Sequence, residues 1–146
     1  METTDLKISI IGAGNMGGAI ARGLSKGTTV QASNIRVSDI SADHLQALQT
    51  FAPEISTSKS NAEIIKDADI IILAVKPWLV ETVVKEIEHK IDYKKQIIVS
   101  IAAGVDFEKL SELFDTEASI FRVIPNTAID ILESVTTIAA QKATKE

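Results

Sequence analysis

The sequence predicts an α/β domain in which a mostly parallel sheet carries helices on both faces. Short apolar runs alternate with amphipathic helical patterns along the 146 residues. The run at residues 70–75 is continuously apolar, as expected for a strand that is covered on both faces. Strands that alternate with helices pair in parallel through right-handed crossovers, so residues 1–146 are predicted to form one doubly wound domain.

The predicted elements follow from apolar periodicity and from capping residues. Ser41 is expected to cap the second helix and Pro53 to end it, Ser60 and Glu63 form a capping box, and Asp106 caps the last helix. Strands are predicted at residues 6–11, 35–39, 55–57, 69–75, 97–101, 120–124 and 135–140, and helices at 15–26, 42–52, 61–66, 77–90 and 107–114.

A glycine-rich segment joins the first strand to the first helix. Gly12, Gly14 and Gly17 form the pattern G-x-G-x-x-G. In this strand–turn–helix context, the first glycine permits a tight turn, the second admits a pyrophosphate and the third allows close packing of helix and sheet. The phosphates would lie at the positive end of the helix. The pattern therefore predicts a Rossmann-type dinucleotide-binding site rather than a turn without a ligand.

Asp39 ends the second predicted strand, about 20 residues after the last glycine of the motif. A carboxylate at this position accepts hydrogen bonds from the adenosine ribose and repels a 2′-phosphate. It therefore favours NADH over NADPH. The alternative is that Asp39 supports the start of the next helix beside Ser41.

Further candidate residues follow the later strands, where a doubly wound sheet holds its ligand. Lys76 is expected to point into the crevice, with a surface lysine as the alternative. Trp78 would either close part of the cleft or pack on the sheet edge. The small residues at 100–104 leave room for a flat ring, and Asn126 and Thr127 offer polar groups after the sixth strand.

Composition limits the class of function. The net charge of −5 without a basic stripe argues against a nucleic-acid partner, and no cysteine is present. His44 and His89 are expected at solvated helix positions, and no metal site is predicted. No apolar run is long enough for a membrane span, and the first residues do not resemble a signal peptide. We therefore expect a cytoplasmic protein.

Four segments, at residues 11–17, 73–77, 100–104 and 122–127, together resemble pyrroline-5-carboxylate reductase. That family reduces 1-pyrroline-5-carboxylate, a small imino acid, to L-proline with NADH or NADPH. The resemblance implies that Asn126 and Thr127 lie near the nicotinamide and substrate, with Lys76 as a further candidate, and it assigns no catalytic residue. It implies cofactor contacts at Ile11, Gly12, Ala13, Gly14, Asn15, Met16, Gly17, Asp39, Asn61, Ala74, Val75, Lys76, Pro77, Ile101, Ala102 and Ala103.

Two departures from the family pattern change these expectations. Asp39 and Ile40 stand where family members usually have a small polar residue, often followed by a basic one, which tilts the cofactor preference toward NADH. Family members also continue into a helical C-terminal domain that forms a homo-oligomer and much of the substrate pocket. This sequence has no counterpart to it. We therefore expect an excised cofactor domain that turns over little substrate alone, or a chain that works with a separate partner.

Two alternatives remain at the level of sequence. One is another reductase on the same cofactor domain, such as a β-hydroxyacid dehydrogenase or an enzyme that passes hydride between NADP and a deazaflavin. The other is a non-enzymatic dinucleotide-sensing module.

Overall fold

The structure, a computed structural model, describes residues 5–125 and 137–141. Within these residues, seven strands form one sheet in the order β3-β2-β1-β4-β5-β6-β7. The pairings are parallel except for the antiparallel pair of β6 and β7. The predicted mostly parallel, doubly wound sheet is confirmed. The strands are β1 (Ile8–Ile11), β2 (Ile35–Ser38), β3 (Ser56–Ser58), β4 (Ile70–Leu73), β5 (Ile97–Ser100), β6 (Ser119–Ile124) and β7 (Thr137–Ala140).

Helices cover both faces of the sheet, each over its own apolar cluster. Ile20 of the first helix and Leu48 of the second pack on one face, whereas Ile64, Val84 and Leu110 of the other three pack on the opposite face. The helices are α1 (Asn15–Lys26), α2 (Ala42–Phe51), α3 (Asn61–Ile64), α4 (Val80–Ile87) and α5 (Phe107–Leu113).

The central strand β4 explains the continuous apolar run in the sequence. Ile70 and Ile72 pack with the cluster under α1 and α2, while Ile71 and Leu73 pack with the cluster under α4. Successive side chains of a strand point to opposite faces. A strand covered on both faces therefore needs apolar residues at every position.

The predicted helix N-caps are formed, although the capping box is only half present. Side chains of the three predicted caps each accept a hydrogen bond from a backbone N–H of the first turn: Ser41 from His44, Ser60 from Glu63 and Asp106 from Lys109. In a full capping box the Ser60 N–H would also donate to the Glu63 carboxylate, but here Ser58 stands between these two groups. The hydroxyl of Ser58 donates to Glu63 Oε2 at 2.6 Å and accepts from the Ser60 N–H at 3.0 Å.

The helix predicted at residues 77–90 is shorter than expected. Only Val80–Ile87 is α-helical, and the flanking segments Pro77–Leu79 and Glu88–Lys90 are 3₁₀ turns. Such tighter turns are common at helix ends. Most of the remaining element bounds differ from those predicted by one or two residues.

Candidate functional site

A crevice of about 760 Å³ runs along the carboxyl ends of the central strands. It touches the residues that follow β1, β2, β4 and β5. The strand order reverses between β1 and β4, so the crevice lies at the switch point of the sheet, where open α/β sheets bind their ligands. Its volume is within the range of small-molecule sites.

Each of the three glycines of the motif lies in a different structural environment. Gly12 has φ +105°, and a Cβ there would lie 2.5 Å from the Ala74 carbonyl oxygen. A Cβ on Gly17 would lie 1.9 Å from the Gly12 carbonyl oxygen. A Cβ on Gly14 would have no described atom within 4 Å. Gly12 and Gly17 are therefore required by packing, whereas Gly14 leaves open space at the crevice.

The start of α1 faces this open space without a capping side chain. Gly14 is the N-cap residue, no side chain hydrogen-bonds to the first turn, and the turn contains no acidic residue. The first backbone N–H groups of a helix have no partner within the helix. The N-terminus of α1 therefore offers N–H donors and a positive dipole end to an anion, next to Asn15 and Met16 in the crevice wall.

Asp39 ties the end of β2 to the glycine loop. Its Oδ2 accepts a hydrogen bond from the Ala13 N–H at 2.7 Å, and its Oδ1 accepts one from the Ser41 N–H at 2.7 Å. The bond to Ser41 realises the predicted alternative, in which Asp39 supports the start of α2. A carboxylate has about four acceptor sites, so these bonds leave capacity for a ligand hydroxyl.

The surroundings of Asp39 keep it ionised. Burial raises its pKa, but hydrogen bonds from the backbone of Ser41 and Ala13, together with the contact and charge of His44, lower it more. The net pKa lies below the ordinary value of 3.8. Asp39 therefore presents a negative charge to the crevice at neutral pH.

His44 lies beside Asp39, a position that the sequence analysis did not assign to the site. Its Nδ1 is 3.4 Å from Asp39 Oδ2, and its side chain is 52% exposed. It also lines the crevice. The prediction of a solvated helix position agrees with the exposure of His44, but it did not place His44 at the site.

A relay of three side chains fixes the crevice wall between β2 and α4. The hydroxyl of Ser38 donates to Asn61 Oδ1 at 2.7 Å, and Asn61 Nδ2 donates to Glu86 Oε2 at 3.1 Å. The predicted residue Asn61 thus has both ends of its amide engaged within the chain. Glu86 joins the site through packing of α3 against α4, which no local sequence pattern indicates.

The structure brings most of the predicted site residues to this one crevice. Ala13 and Gly17 do not line it, because the first bonds to Asp39 and the second packs against Gly12. Asn126 and Thr127 lie outside the described residues. The predicted residues in the crevice wall are Ile11, Gly12, Gly14, Asn15, Met16, Asp39, Asn61, Ala74, Val75, Lys76, Pro77, Ile101, Ala102 and Ala103.

The crevice also contains apolar residues that the sequence analysis did not select. Ile40, which is 89% exposed, lines it together with Leu79 and Val83. Trp78 is 75% exposed and does not line the crevice, so neither of its two predicted roles is seen. Apolar side chains around a few polar groups are the usual composition of a site for a flat organic ligand.

A smaller cavity of about 260 Å³ adjoins the crevice at the ends of β5 and β6. It shares Met16 and the residues 101–103 with the main crevice. Arg122 lines it, with its guanidinium carbon 5.7 Å from the centre of the Phe107 ring. Within the described part of the chain, no cluster of metal-ligating side chains and no helix suited to span a membrane is found.

The fold and the crevice together define a Rossmann-type dinucleotide-binding domain. The family model described as NADP oxidoreductase, coenzyme F420-dependent, matches residues 7–104, about two thirds of the chain. The chain belongs to this family.

Known relatives confirm the resemblance to pyrroline-5-carboxylate reductase. The protein of that name from Methanosarcina acetivorans is 38% identical over 136 residues, which is 93% of this chain and 50% of the relative. Pyrroline-5-carboxylate reductase 3 of Danio rerio is 36% identical over 132 residues, 90% of this chain and 45% of the relative. The chain thus spans about half the length of the curated relatives it matches.

Solved structures agree with these relatives. Pyrroline carboxylate reductase of Plasmodium falciparum with NADP bound superposes with a TM-score of 0.85 at 25% identity, over 98% of this chain and 51% of that one. The pyrroline-5-carboxylate reductase of Coxiella burnetii gives 0.87 at 26% identity, over 98% and 52%. The 3-hydroxyisobutyrate dehydrogenase of Mycobacterium tuberculosis, at 14% identity and a TM-score of 0.76, shows the shared fold alone.

Proposed function

We propose that this chain is the cofactor-binding part of a pyrroline-5-carboxylate reductase, which reduces 1-pyrroline-5-carboxylate to L-proline with NADH or NADPH. The observation that carries the proposal is the open space beyond Gly14 at the uncapped start of α1, located at the switch point of the sheet. The names of the curated relatives supply the substrate class.

The crevice residues suit the parts of a nicotinamide dinucleotide. Its pyrophosphate would lie against Gly14 and the first N–H groups of α1. The adenosine would extend toward Asp39 and the apolar side chains of Ile40 and Leu79. The nicotinamide would lie toward Ala102, near the smaller cavity.

For hydride transfer, the protein mainly has to orient the cofactor and the substrate. When bound, the reduced nicotinamide supplies a hydride to the carbon of the substrate C=N bond. The imine nitrogen takes up one proton from the solvent, which balances the hydride added to carbon, and the product is L-proline. Lys76, Asn126 and Thr127 remain the residues that we propose near the nicotinamide and substrate.

We propose NADH as the preferred cofactor at neutral pH. The ionised carboxylate of Asp39 suits a ribose diol and repels a 2′-phosphate. NADP is the ligand of the Plasmodium falciparum structure and is named in the family description. The comparison therefore makes NADPH the competing choice, and the identity of residue 39 is the reason to prefer NADH.

The substrate pocket is proposed to be completed by sequence outside residues 1–146. The curated relatives are about twice as long as this chain. We propose that a second domain or a partner chain holds the substrate carboxylate and forms a homo-oligomer, and that the protein works in the cytoplasm. The chain by itself is expected to turn over little substrate.

Reductase activity tests this proposal directly. The chain would be fused to the second half of the Methanosarcina acetivorans relative, and oxidation of NADH would be followed with 1-pyrroline-5-carboxylate and with 2-methyl-3-oxopropanoate, the open-chain aldehyde whose reduction gives 3-hydroxyisobutyrate. Activity on the cyclic imine that disappears in a Gly14→Val fusion would support the proposal. A folded fusion that binds NADH and reduces only the open-chain aldehyde would favour a β-hydroxyacid dehydrogenase instead.

Dinucleotide sensing without catalysis predicts a different result. Cofactor would change the sedimentation of the chain, and the folded fusion would reduce neither substrate. No described feature favours this alternative.

A further inference from the structure

The mouth of the crevice at the end of β2 contains a histidine–carboxylate pair. His44 Nδ1 lies 3.4 Å from Asp39 Oδ2. The carboxylate is 13% exposed and the imidazole 52% exposed, so Asp39 forms the floor and His44 the rim of this mouth. Both residues line the crevice, beside Ile40 and Ser41.

The contact with Asp39 determines which imidazole nitrogen can meet a ligand. An ionised carboxylate only accepts hydrogen bonds, so the neutral imidazole must carry its proton on Nδ1 to satisfy this contact. Nε2 of neutral His44 then has a lone pair and cannot donate. Protonation places a proton on Nε2 and adds a positive charge at the exposed rim.

Several other charged groups near this mouth have hydrogen-bond partners of their own. Among the residues that the structure describes, Asp39 is the one whose carboxylate lies within 4 Å of the His44 imidazole. Glu86 accepts from Asn61, and Glu63 accepts from Ser58. Lys76 follows β4, which β1 separates from β2 in the sheet. The other charged groups on α2, on β2 and on the elements that pack against them are Asp43 on α2, Arg36 on β2, Arg22 and Lys26 on α1, Lys59 after β3 and Glu63 on α3, and Lys76 and Glu86 line the crevice.

We propose that His44 is a specificity-determining residue that makes the choice between NAD and NADP depend on pH. This inference rests on the proposed function, because it requires the adenosine ribose to lie at Asp39. With neutral His44, the charge of Asp39 excludes a 2′-phosphate and NAD is preferred. With protonated His44, the imidazolium offsets Asp39, Nε2–H donates to the 2′-phosphate, and NADP binds better.

A dependence of nucleotide choice on pH can be measured directly. Histidine is the side chain that ordinarily changes charge between about pH 5 and 8. The ratio of the dissociation constant of NADP⁺ to that of NAD⁺ should therefore fall as the pH is lowered. We expect a fall of about fivefold to tenfold, the size of one partly exposed charge-assisted contact.

Calorimetric titration of the 146-residue chain with NAD⁺ and NADP⁺ between about pH 5.5 and 8 tests the proposal. The oxidised nucleotides are used because they withstand mild acid. His44→Gln retains a side-chain amide that can contact Asp39 but cannot titrate, so it also reports the pH effect of the 2′-phosphate itself. His89→Gln is the matched control, because His89 is exposed, does not line the crevice and is the other histidine of the sequence.

The outcomes separate this inference from the function on which it rests. A ratio that falls more steeply on acidification in the wild type and in His89→Gln than in His44→Gln supports the inference. Binding of both nucleotides with the same pH dependence in all three proteins overturns the role of His44 and leaves the dinucleotide site intact. A folded chain that binds neither nucleotide at any pH overturns both.

Discussion

Asp39 Oδ2 accepts a hydrogen bond from the backbone N–H of Ala13 at 2.7 Å, so the end of β2 holds the glycine loop in place. The same carboxylate accepts from the Ser41 N–H at the start of α2. One side chain thus fixes two walls of the crevice and sets its charge. Substitution of Asp39 is therefore expected to change both stability and ligand choice.

Asp39→Asn should shift cofactor choice toward NADPH. The amide keeps the shape of the side chain but removes the charge that repels a 2′-phosphate. We expect the ratio of NADPH to NADH affinity to rise by about fivefold to tenfold, measured by calorimetry near neutral pH. Asp43→Asn, an exposed substitution in the first turn of α2, is the matched control. An unchanged ratio in Asp39→Asn would remove Asp39 from the ribose site.

The stability of Asp39→Asn should also change less than that of the wild type when the pH is lowered into the acid range. The folded-state pKa of Asp39 lies below its ordinary value of 3.8. A group with a depressed folded-state pKa stabilises the fold above its unfolded-state pKa, and this contribution is lost as the pH falls through the folded-state value. The difference in Tm between wild type and Asp39→Asn should therefore have its full size above about pH 5 and shrink below about pH 4. A difference that stays constant down to about pH 2.5 would contradict this linkage.

Gly14→Val should abolish dinucleotide binding without unfolding the domain. Gly14 has a negative φ of −70° and an extended backbone, and no described atom lies within 4 Å of a Cβ there. The valine would instead occupy the space of the pyrophosphate. We expect affinity for NADH and NADPH to fall by about a hundredfold, or about 2.7 kcal/mol. Affinity equal to that of the wild type, with an unchanged Tm, would show that the glycine loop is not the site.

Gly17→Ala, unlike Gly14→Val, should destabilise the fold. Its Cβ would lie 1.9 Å from the Gly12 carbonyl oxygen, a backbone atom that moves only if α1 shifts away from β1. We expect the free energy of unfolding to fall by about 3 kcal/mol, measured by urea denaturation. Gly27→Ala is a suitable comparison, because a Cβ there meets its nearest atom at 3.4 Å. Equal stability of the two variants would contradict the packing role of Gly17.

The elements and the strand-end residues were predictable because their signals are local. Gly12, Gly14 and Gly17 lie within six consecutive residues, and the Ile-rich run of β4 reflects burial on both faces. Once the strands were placed, residues such as Asp39 and Lys76 followed at their carboxyl ends.

Contacts that depend on helix packing were not predictable. Asn61 reaches Glu86 across 25 positions because α3 packs against α4. His44 approaches Asp39 through the turn that starts α2, where the helical pattern indicated only a solvated position. The α-helix likewise ends at Ile87, although buried apolar residues continue at helical spacing to Ile91.

The most direct test of the central claim is calorimetric titration of the 146-residue chain with NADH and NADPH near neutral pH. Calorimetry is preferred to tryptophan fluorescence because Trp78 is 75% exposed and does not line the crevice. The account predicts saturable binding of both nucleotides at a single site, with NADH bound more tightly. A folded chain that releases no binding heat with either nucleotide, and whose Tm neither nucleotide raises, would contradict it.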